Sequence, residues 1–401
     1  MGRVEGLLDR HRAAAGVDAA AVYQAPGRVN LLGEHTDYSG GFCMPAAISF
    51  NTLVAASPRA DSLLRMHSVD FGESAEVDLR ELQVPSVEAK TRWSFYCEGV
   101  AWSLTQEAGI ALRGADLSIT GNVPLGAGLS SSASVEVATA TALLGIAGQT
   151  LPKVTVALAC QRAENGYVHG SCGIMDQYIS ACGVRGNALA IDTRALTAEL
   201  APIPEGLRLV VCNSMVTHKV AGKTSPYAMV LREVEEAASA MGFASATWDE
   251  SAAGRPRQLR DVSLDELVAA RGKMSHEAFL RGRHVITDSA RVVRGVALLK
   301  AGDSAGFGRL MTEAHASFRD DFGASCQECD LLVRLALEMD GCLGSRLTGG
   351  GFGGCTVSLV EAGSADGFAR AMKREYQAAT GVLAQVFVCE IADGAGRITL
   401  P

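Results

Sequence analysis

Three glycine-rich stretches, far apart along the chain, constrain this sequence most. They are Gly27-Arg28-Val29-Asn30-Leu31-Leu32-Gly33-Glu34-His35-Thr36-Asp37-Tyr38, then Pro124-Leu125-Gly126-Ala127-Gly128-Leu129-Ser130-Ser131-Ser132-Ala133-Ser134, then Leu347-Thr348-Gly349-Gly350-Gly351-Phe352-Gly353-Gly354-Cys355. Glycine weakens a helix or strand interior by roughly 0.5–1 kcal/mol relative to alanine, so such runs belong to loops with a task. At 401 residues the chain is long enough to bury two cores around them.

The second stretch follows a strand candidate, Asp116–Gly121, and precedes a helix candidate, Ala133–Ala147. Glycines let backbone N–H groups approach an anion, and the helix that follows offers free N–H groups and a positive dipole end. A tight turn with a Ser N-cap needs one serine, and neither glycine; here there are three serines in a row. Gly126, Ala127, Gly128, Leu129, Ser130, Ser131 and Ser132 therefore read as a loop that wraps phosphate. It is not a P-loop, because the Lys after the second Gly is missing, and it lacks the third Gly of a dinucleotide fingerprint. The third stretch matches that fingerprint in letters (Gly349, Gly351, Gly354). A strand candidate, Thr356–Val360, follows it where the fingerprint requires a helix.

The first stretch crowds Arg28, Glu34, His35 and Asp37 among apolar neighbours. Carboxylates and charged donors that each take two hydroxyls hold polyols in this manner. Asp176 is an acid within the run Cys172-Gly173-Ile174-Met175-Asp176-Gln177-Tyr178, which implies burial or a cationic partner. Glu164, twelve residues earlier, reads by itself as a surface acid at a helix end.

The formal net charge of -8 excludes a basic nucleic-acid footprint and disfavours anionic lipid. The N-terminal segment, Met1–Gly16, reads as an amphipathic helix without the apolar centre of a secretory signal, and no uncharged apolar stretch is long enough to span a membrane. The eleven cysteines are scattered, which suits reduced thiols in the cytoplasm. Cys326 and Cys329 have CxxC spacing, but a zinc ribbon needs a second such pair; ordinary reduced thiols are expected there.

Periodicity predicts strands over Val22–Asn30, Asn51–Ala56, Leu207–Cys212 and Val382–Glu390. It predicts helices over Arg92–Glu107, Ala157–Asn165, Tyr227–Met241, Val285–Lys300 and Gly367–Thr380. Val285, Val292, Val293, Val296 and Leu299 form the expected core stripe of one helix. This is an α+β mixture, with a domain boundary expected near Thr193–Leu207.

At these residues the chain resembles the galactokinases, within the GHMP kinase superfamily of homoserine, mevalonate and phosphomevalonate kinases. The first stretch resembles the galactokinase signature almost letter for letter; the second resembles the superfamily's ATP loop, and the third its C-terminal glycine loop. Cys172–Ser180, Leu259–Val262, Arg283–Val285 and Phe307–Met311 also look familial. The resemblance implies a two-domain fold. A mixed-sheet N-terminal domain would cover 1–198 and a ferredoxin-like α+β domain 199–401, with the active site between them. It implies transfer of the ATP γ-phosphoryl to the C1 hydroxyl of α-D-galactose, the first committed step of Leloir galactose metabolism. Glu34, His35, Thr36, Asp37, Gly173 and Tyr227 would bind the sugar, Gly126 to Ser132 the triphosphate, and Ser132 with Glu164 would hold Mg²⁺. Asp176 would be the catalytic acid–base, with Arg28 its cationic partner and transition-state stabiliser. Small-molecule substrates only and a monomeric state complete the expectation.

Pro226 stands where relatives usually carry an acid before the sugar-site tyrosine, and Arg232 stands alone where they often carry paired arginines. A sister kinase for N-acetylgalactosamine or L-arabinose shares every feature outside the sugar pocket. Sensor-type relatives lose the Ser-Ala pair of the ATP loop; Ser132-Ala133 is present here.

Overall fold

The computed structural model describes residues 2–399 except 217–225, 244, 246 and 248–256, and, of Glu107 and Tyr227, the backbone alone. The N-terminal helix α1 (Arg3–Ala15) precedes strands β1 (Ala21–Asn30), β2 (Phe42–Cys43), β3 (Pro45–Pro58), β4 (Leu63–Ser68) and β5 (Glu73–Asp78). Helix α2 (Ser94–Trp102), strand β6 (Ala115–Gly121) and helices α3 (Ser131–Ile146), α4 (Lys153–Arg162) and α5 (Met175–Cys182) follow. A six-stranded sheet, in the order β13-β1-β3-β6-β4-β5 with β13 the C-terminal strand Gly396–Ile398, is mixed because β4 runs parallel to β6. Its apolar face packs on α2–α5 around Val54, Leu117, Val137, Leu143 and Ile179. Helix α3 is buried nearly all round, as its Ala/Val/Leu run predicts.

The hairpin β7 (Asn187–Asp192) and β8 (Thr197–Pro202) joins β2 in a three-stranded sheet. Beyond it come β9 (Leu207–Asn213), α6 (Pro226–Ala240), α7 (Leu264–Ala269), α8 (His276–Lys300), α9 (Ser304–Asp320) and α10 (Gln327–Leu337). The chain then forms β10 (Cys342–Thr348), β11 (Cys355–Glu361), α11 (Ala365–Thr380), β12 (Gln385–Cys389) and β13 (Gly396–Ile398). The antiparallel order β10-β11-β9-β12, with helices before β10 and between β11 and β12, is the ferredoxin-like βαββαβ arrangement. Its outer face is covered by α10 and α11 through Leu332, Phe368, Met372 and Tyr376. The strand β13 returns to pair with β1.

Two expectations are corrected. Val293 is 56% exposed, whereas Val285, Val292, Val296 and Leu299 are buried; adjacent residues lie about 100° apart on a helix, so Val292 and Val293 cannot share one narrow stripe. The last long strand begins only at Gln385, because Gly381 closes α11 with φ 75° and the chain needs Val382–Ala384 to turn back. The helices expected to end at Glu107 and Asn165 both finish in a π-turn, Ser103–Glu107 and Ala163–Tyr167. Among the described residues no helix is long and apolar enough to cross a membrane.

Candidate active site

Arg28 stands near the end of β1 and is buried. Its planar fork grips Asp176 at two points: Nε donates to Oδ1 at 2.8 Å and Nη2 to Oδ2 at 2.7 Å. Its Nη1 donates to the Gly128 carbonyl. Asp176 lies in the first turn of α5, where the helix dipole favours an anion. The Ser130 hydroxyl also donates to Asp176 Oδ2. One carboxylate is thus held by β1 and by the second glycine stretch, and it remains about a quarter exposed (24%).

The first glycine stretch leaves β1 as a loop pinned from behind. The Gly33 and Glu34 N–H groups donate to Asp288 Oδ2 on α8 at 3.0 and 2.8 Å. Arg346 on β10, fully buried, meets Glu34 at 3.4 Å and Asp288 at 3.8 Å. Burial pushes the Glu34 carboxyl up to about 7, outweighing the cations Arg346 and Arg28. His35 adopts φ 59°, and its ring packs against Phe318 and Phe322 at 5.8 and 4.5 Å. Burial, and the neighbouring His284, push its imidazole down to about 3. It is therefore neutral at pH 7, and its Nε2 lies 3.3 Å from the Gly350 carbonyl. The buried Thr36 hydroxyl lies 2.9 Å from the Gly33 carbonyl and 2.7 Å from that of Phe42. Thr36 is fully buried, and its carbonyl accepts the Ser39 and Gly41 N–H groups.

Asp37 accepts the Met175 N–H at 3.3 Å, which ties this loop to the start of α5. Burial first, then the charge of Asp176, pushes its carboxyl up to about 6. Gly173 backs directly onto it: a Cβ there would sit 1.9 Å from Asp37 Oδ2. A cavity of about 600 Å³ opens beside these two residues, walled by Trp102, Arg162, Cys172 and Thr193 among others. Tyr227 is the second residue of α6, and its side chain lies outside the described residues.

The second stretch turns through positive φ at Gly126 (67°), Gly128 (74°) and Ser130 (59°) before α3 begins. Ser130 occupies the N-cap, yet its hydroxyl makes no cap bond to the helix and goes to Asp176. The simple turn-and-cap explanation of the serines is therefore not used. Ala127 and Leu129 are buried anchors, and Ser131 and Ser132 are half-buried at the helix start. The third stretch lies against it: a Cβ on Gly349 would come within 2.8 Å of the Gly128 carbonyl, and one on Gly354 within 3.2 Å of that of Ala127. Two backbones can approach this closely only without side chains.

Glu164 sits in the π-turn after α4, accepts a hydrogen bond from Gln177 Nε2 at 2.7 Å and lies beside the Ser132 hydroxyl. Burial, reinforced by Asp176, pushes its carboxyl up to about 7. The same Gln177 amide donates to Glu136 at 3.1 Å, a fully buried acid of α3 whose Oε1 has no hydrogen-bond partner among the described residues. Glu136, Gln177, Asp288, His284 and Arg346 were not singled out from sequence. The signal for Glu136 and Arg346 was present, since each is a lone charge in an apolar run, as Asp176 is.

The chain is similar to known proteins over nearly its whole length. Residues 9–58 match the galactokinase galactose-binding signature, 95–184 the GHMP kinases N terminal domain and 296–378 the GHMP kinases C terminal domain. The chain is 42% identical to a galactokinase of Roseiflexus sp. (strain RS-1), over 98% of this chain and 96% of that protein. It is 41% identical to a galactokinase of Homo sapiens, over 96% and 94%. A Lactococcus lactis galactokinase complexed with galactose superimposes with a TM-score of 0.89 at 30% identity, covering 99% of this chain and 100% of that one. The mevalonate kinase of Methanococcus jannaschii shares the fold, with a TM-score of 0.62 at 17% identity over 93% and 98%.

Proposed function

The chain belongs to the galactokinase family of the GHMP kinases, and from that premise we propose how its own residues carry out the reaction. It is an ATP-dependent sugar kinase. In our reading the γ-phosphoryl of ATP passes to the C1 hydroxyl of α-D-galactose, giving galactose 1-phosphate and ADP. The observation that carries the reading is the grip on Asp176, which Arg28 holds at two points and Ser130 of the phosphate loop at a third.

Phosphoryl transfer passes through a loose transition state, so catalysis is mostly positioning and charge neutralisation. Asp176 orients the sugar C1 hydroxyl and takes its proton as oxygen bonds to phosphorus. Arg28 fixes Asp176 and faces the charge that develops on the transferred group. The backbone from Gly126 to Ser132 and the start of α3 cradle the triphosphate. Glu34, Asp37, the backbone of His35 and Thr36, Gly173 and Tyr227 form the sugar site. Ser132 and Glu164 would hold Mg²⁺; the two side chains lie side by side, and both offer hard oxygen ligands of the kind it takes. When bound, the ion supplies neutralisation of phosphate charge.

We divide the chain at 198/199, with the C-terminal tail rejoining the first sheet, and take it as a monomer acting on galactose and ATP alone. Eleven free thiols support a reducing, cytoplasmic setting.

The test is Asp176→Asn. It should retain ATP affinity and Tm, and lose at least about a hundredfold in kcat. Near-normal turnover removes Asp176 from its role. Arg28→Lys should also be damaging, because a point charge cannot replace the fork. A panel of galactose, glucose, N-acetylgalactosamine, arabinose and talose separates this reading from a sister kinase. ADP release confined to galactose and its close C2 variants supports it; activity on another sugar alone reassigns the pocket around Glu34, Asp37 and Tyr227.

A further inference from the structure

The kinase reaction makes no use of the Cys326/Cys329 pair. Cys326 is the N-cap of α10, with φ -141° and ψ 162°, and Cys329 lies in the helix's first turn. Cys326 is partly exposed and Cys329 fully buried. One turn of helix separates the two thiols, and they influence each other's ionisation. The neighbouring Cys329 first, against the cost of burial, holds the Cys326 thiol below its ordinary range, and Cys326 pushes the Cys329 thiol well up. A thiol at a helix N-terminus with a second one four positions inclusive into the turn is the arrangement of dithiol redox sites: an accessible nucleophile and a buried resolving sulfur.

Cys329 packs in one core cluster with Leu347, and with Phe352 of the third glycine stretch at its edge; its thiol lies beside Ser214, just beyond β9. The Ser214 N–H and hydroxyl both donate to the Gly354 carbonyl, at 2.9 and 2.8 Å. Gly354 in turn lies over Ala127 of the phosphate loop. A short series of contacts therefore runs from the pair to the site read above as nucleotide-binding.

We infer that Cys326 and Cys329 form an oxidisable dithiol whose closure to a disulfide weakens ATP binding. The oxidant is a low-molecular-weight disulfide such as glutathione disulfide. The Cys326 thiolate attacks one of its sulfurs, which forms a mixed disulfide and expels one thiolate. Cys329 gives its proton to that leaving group and attacks Cys326 Sγ, which expels the second thiolate; that thiolate takes up the proton lost earlier from Cys326. The protein loses two electrons and two protons, and the oxidant becomes two thiols. An S–S bond of about 2 Å draws the Cys329 sulfur toward Cys326 and away from Ser214. Ser214 then loses one of the contacts that set Gly354 against the phosphate loop. The effect on ATP rests on the nucleotide reading above; the bridge itself does not.

The experiment equilibrates the full chain in reduced or oxidised glutathione, maps its peptides by mass, and measures KM for ATP by ADP release with galactose. The expected result is loss of two hydrogens confined to the peptide holding Cys326 and Cys329. KM for ATP should rise roughly fivefold, the scale of one lost hydrogen bond. Dithiothreitol should reverse both changes, and Cys326→Ser should show the reduced-form KM in both buffers. Three results would overturn the inference: both thiols remaining free or ending as a stable glutathione adduct, a bridge that leaves KM for ATP unchanged, or a Cys326→Ser protein that responds like the parent. Failure of the nucleotide reading looks different, because the reduced protein then releases no ADP at all.

Discussion

At Gly173 a single hydrogen atom, where other residues carry a methyl or more, keeps the Asp37 carboxylate in place. Replacing it with alanine puts Cβ 1.9 Å from Oδ2, so the carboxylate must move. Gly173→Ala should therefore raise KM for galactose at least tenfold, about the cost of one charged hydrogen bond, with KM for ATP nearly unchanged. Steady-state kinetics with each substrate varied decides it; equal changes in both constants contradict the assignment. Asp37 also sets a pH dependence. With its carboxyl pushed up to about 6, the proton is on below that pH and off above it. Sugar hydroxyls donate best to the ionised form, so KM for galactose should climb as pH falls through 6, approaching about tenfold per unit, and level off above. A flat profile between pH 5 and 8 contradicts this. For stability the sign is opposite. From 3.8, its ordinary value, to about 6 the folded state keeps a proton that the unfolded chain has released, so this group's contribution is lost as pH rises through that window. Asp37, Asp176 and Arg28 were legible because charge in an apolar run demands a partner. The partner's identity was visible only in part: Arg28 with Asp176 followed from family resemblance, whereas Arg346 with Glu34 is 312 residues apart and had no local signature.

At the scale of elements, α8 and β10 act as a brace behind the sugar loop. Arg346 has 0% exposure and donates to the carbonyls of Leu31 and Leu347 as well as facing Glu34 and Asp288. Replacing it by methionine keeps much of the volume and removes the fully buried cation that faces both acids. Breaking such a buried pair costs about 3–5 kcal/mol, because the charges left behind have no compensation. Urea unfolding of Arg346→Met should show that loss; a change under about 1 kcal/mol shows that the acids simply take up protons and that the brace is dispensable. The elements β1, α6, α8 and α11 were legible from their hydrophobic spacing, and α3 from its unbroken Ala/Val/Leu-rich run. The hairpin β4–β5 and the strands β7, β8 and β10 were not read. β5 and β8 have few buried side chains and so little alternation to detect, and β10 carries Ser345 and Arg346 in its middle, which interrupts an apolar run. The π-turn that aims Glu164 adds one residue to a helical turn, a change that spacing arguments at 3.6 residues per turn do not register.

For the whole molecule, the three glycine-rich stretches meet because the first sheet, the ferredoxin-like sheet and α8 share a core. Val29, Leu31 and Met44 pack in one cluster with Leu209, Val357, Val292 and Phe307. Local patterning identified each stretch, but their meeting is a property of topology, and so is the course of the C-terminal tail. After β12 the chain crosses back: Ile391 bridges to Ile48, the Gly394 N–H donates to the Gly183 carbonyl, and the Ala395 N–H to that of Ser180. Strand β13 then covers the edge of β1. Ser180 and Gly183 stand at the far end of α5, the helix whose first turn holds Asp176. The tail thus clamps both β1, which carries Arg28, and α5, which carries its partner. Ending the chain at Glu390 should lower Tm by on the order of 5 °C through lost strand and loop hydrogen bonds. It should also lower kcat roughly tenfold, because small displacements of positioned groups are costly in phosphoryl transfer. KM for ATP should change little, since among the described residues Gly126–Ser132 makes no hydrogen bond to the tail. A truncated protein with a lower Tm but an unchanged kcat would show that the tail merely stabilises the sheet, and that β1 and α5 keep Arg28 and Asp176 in register without it.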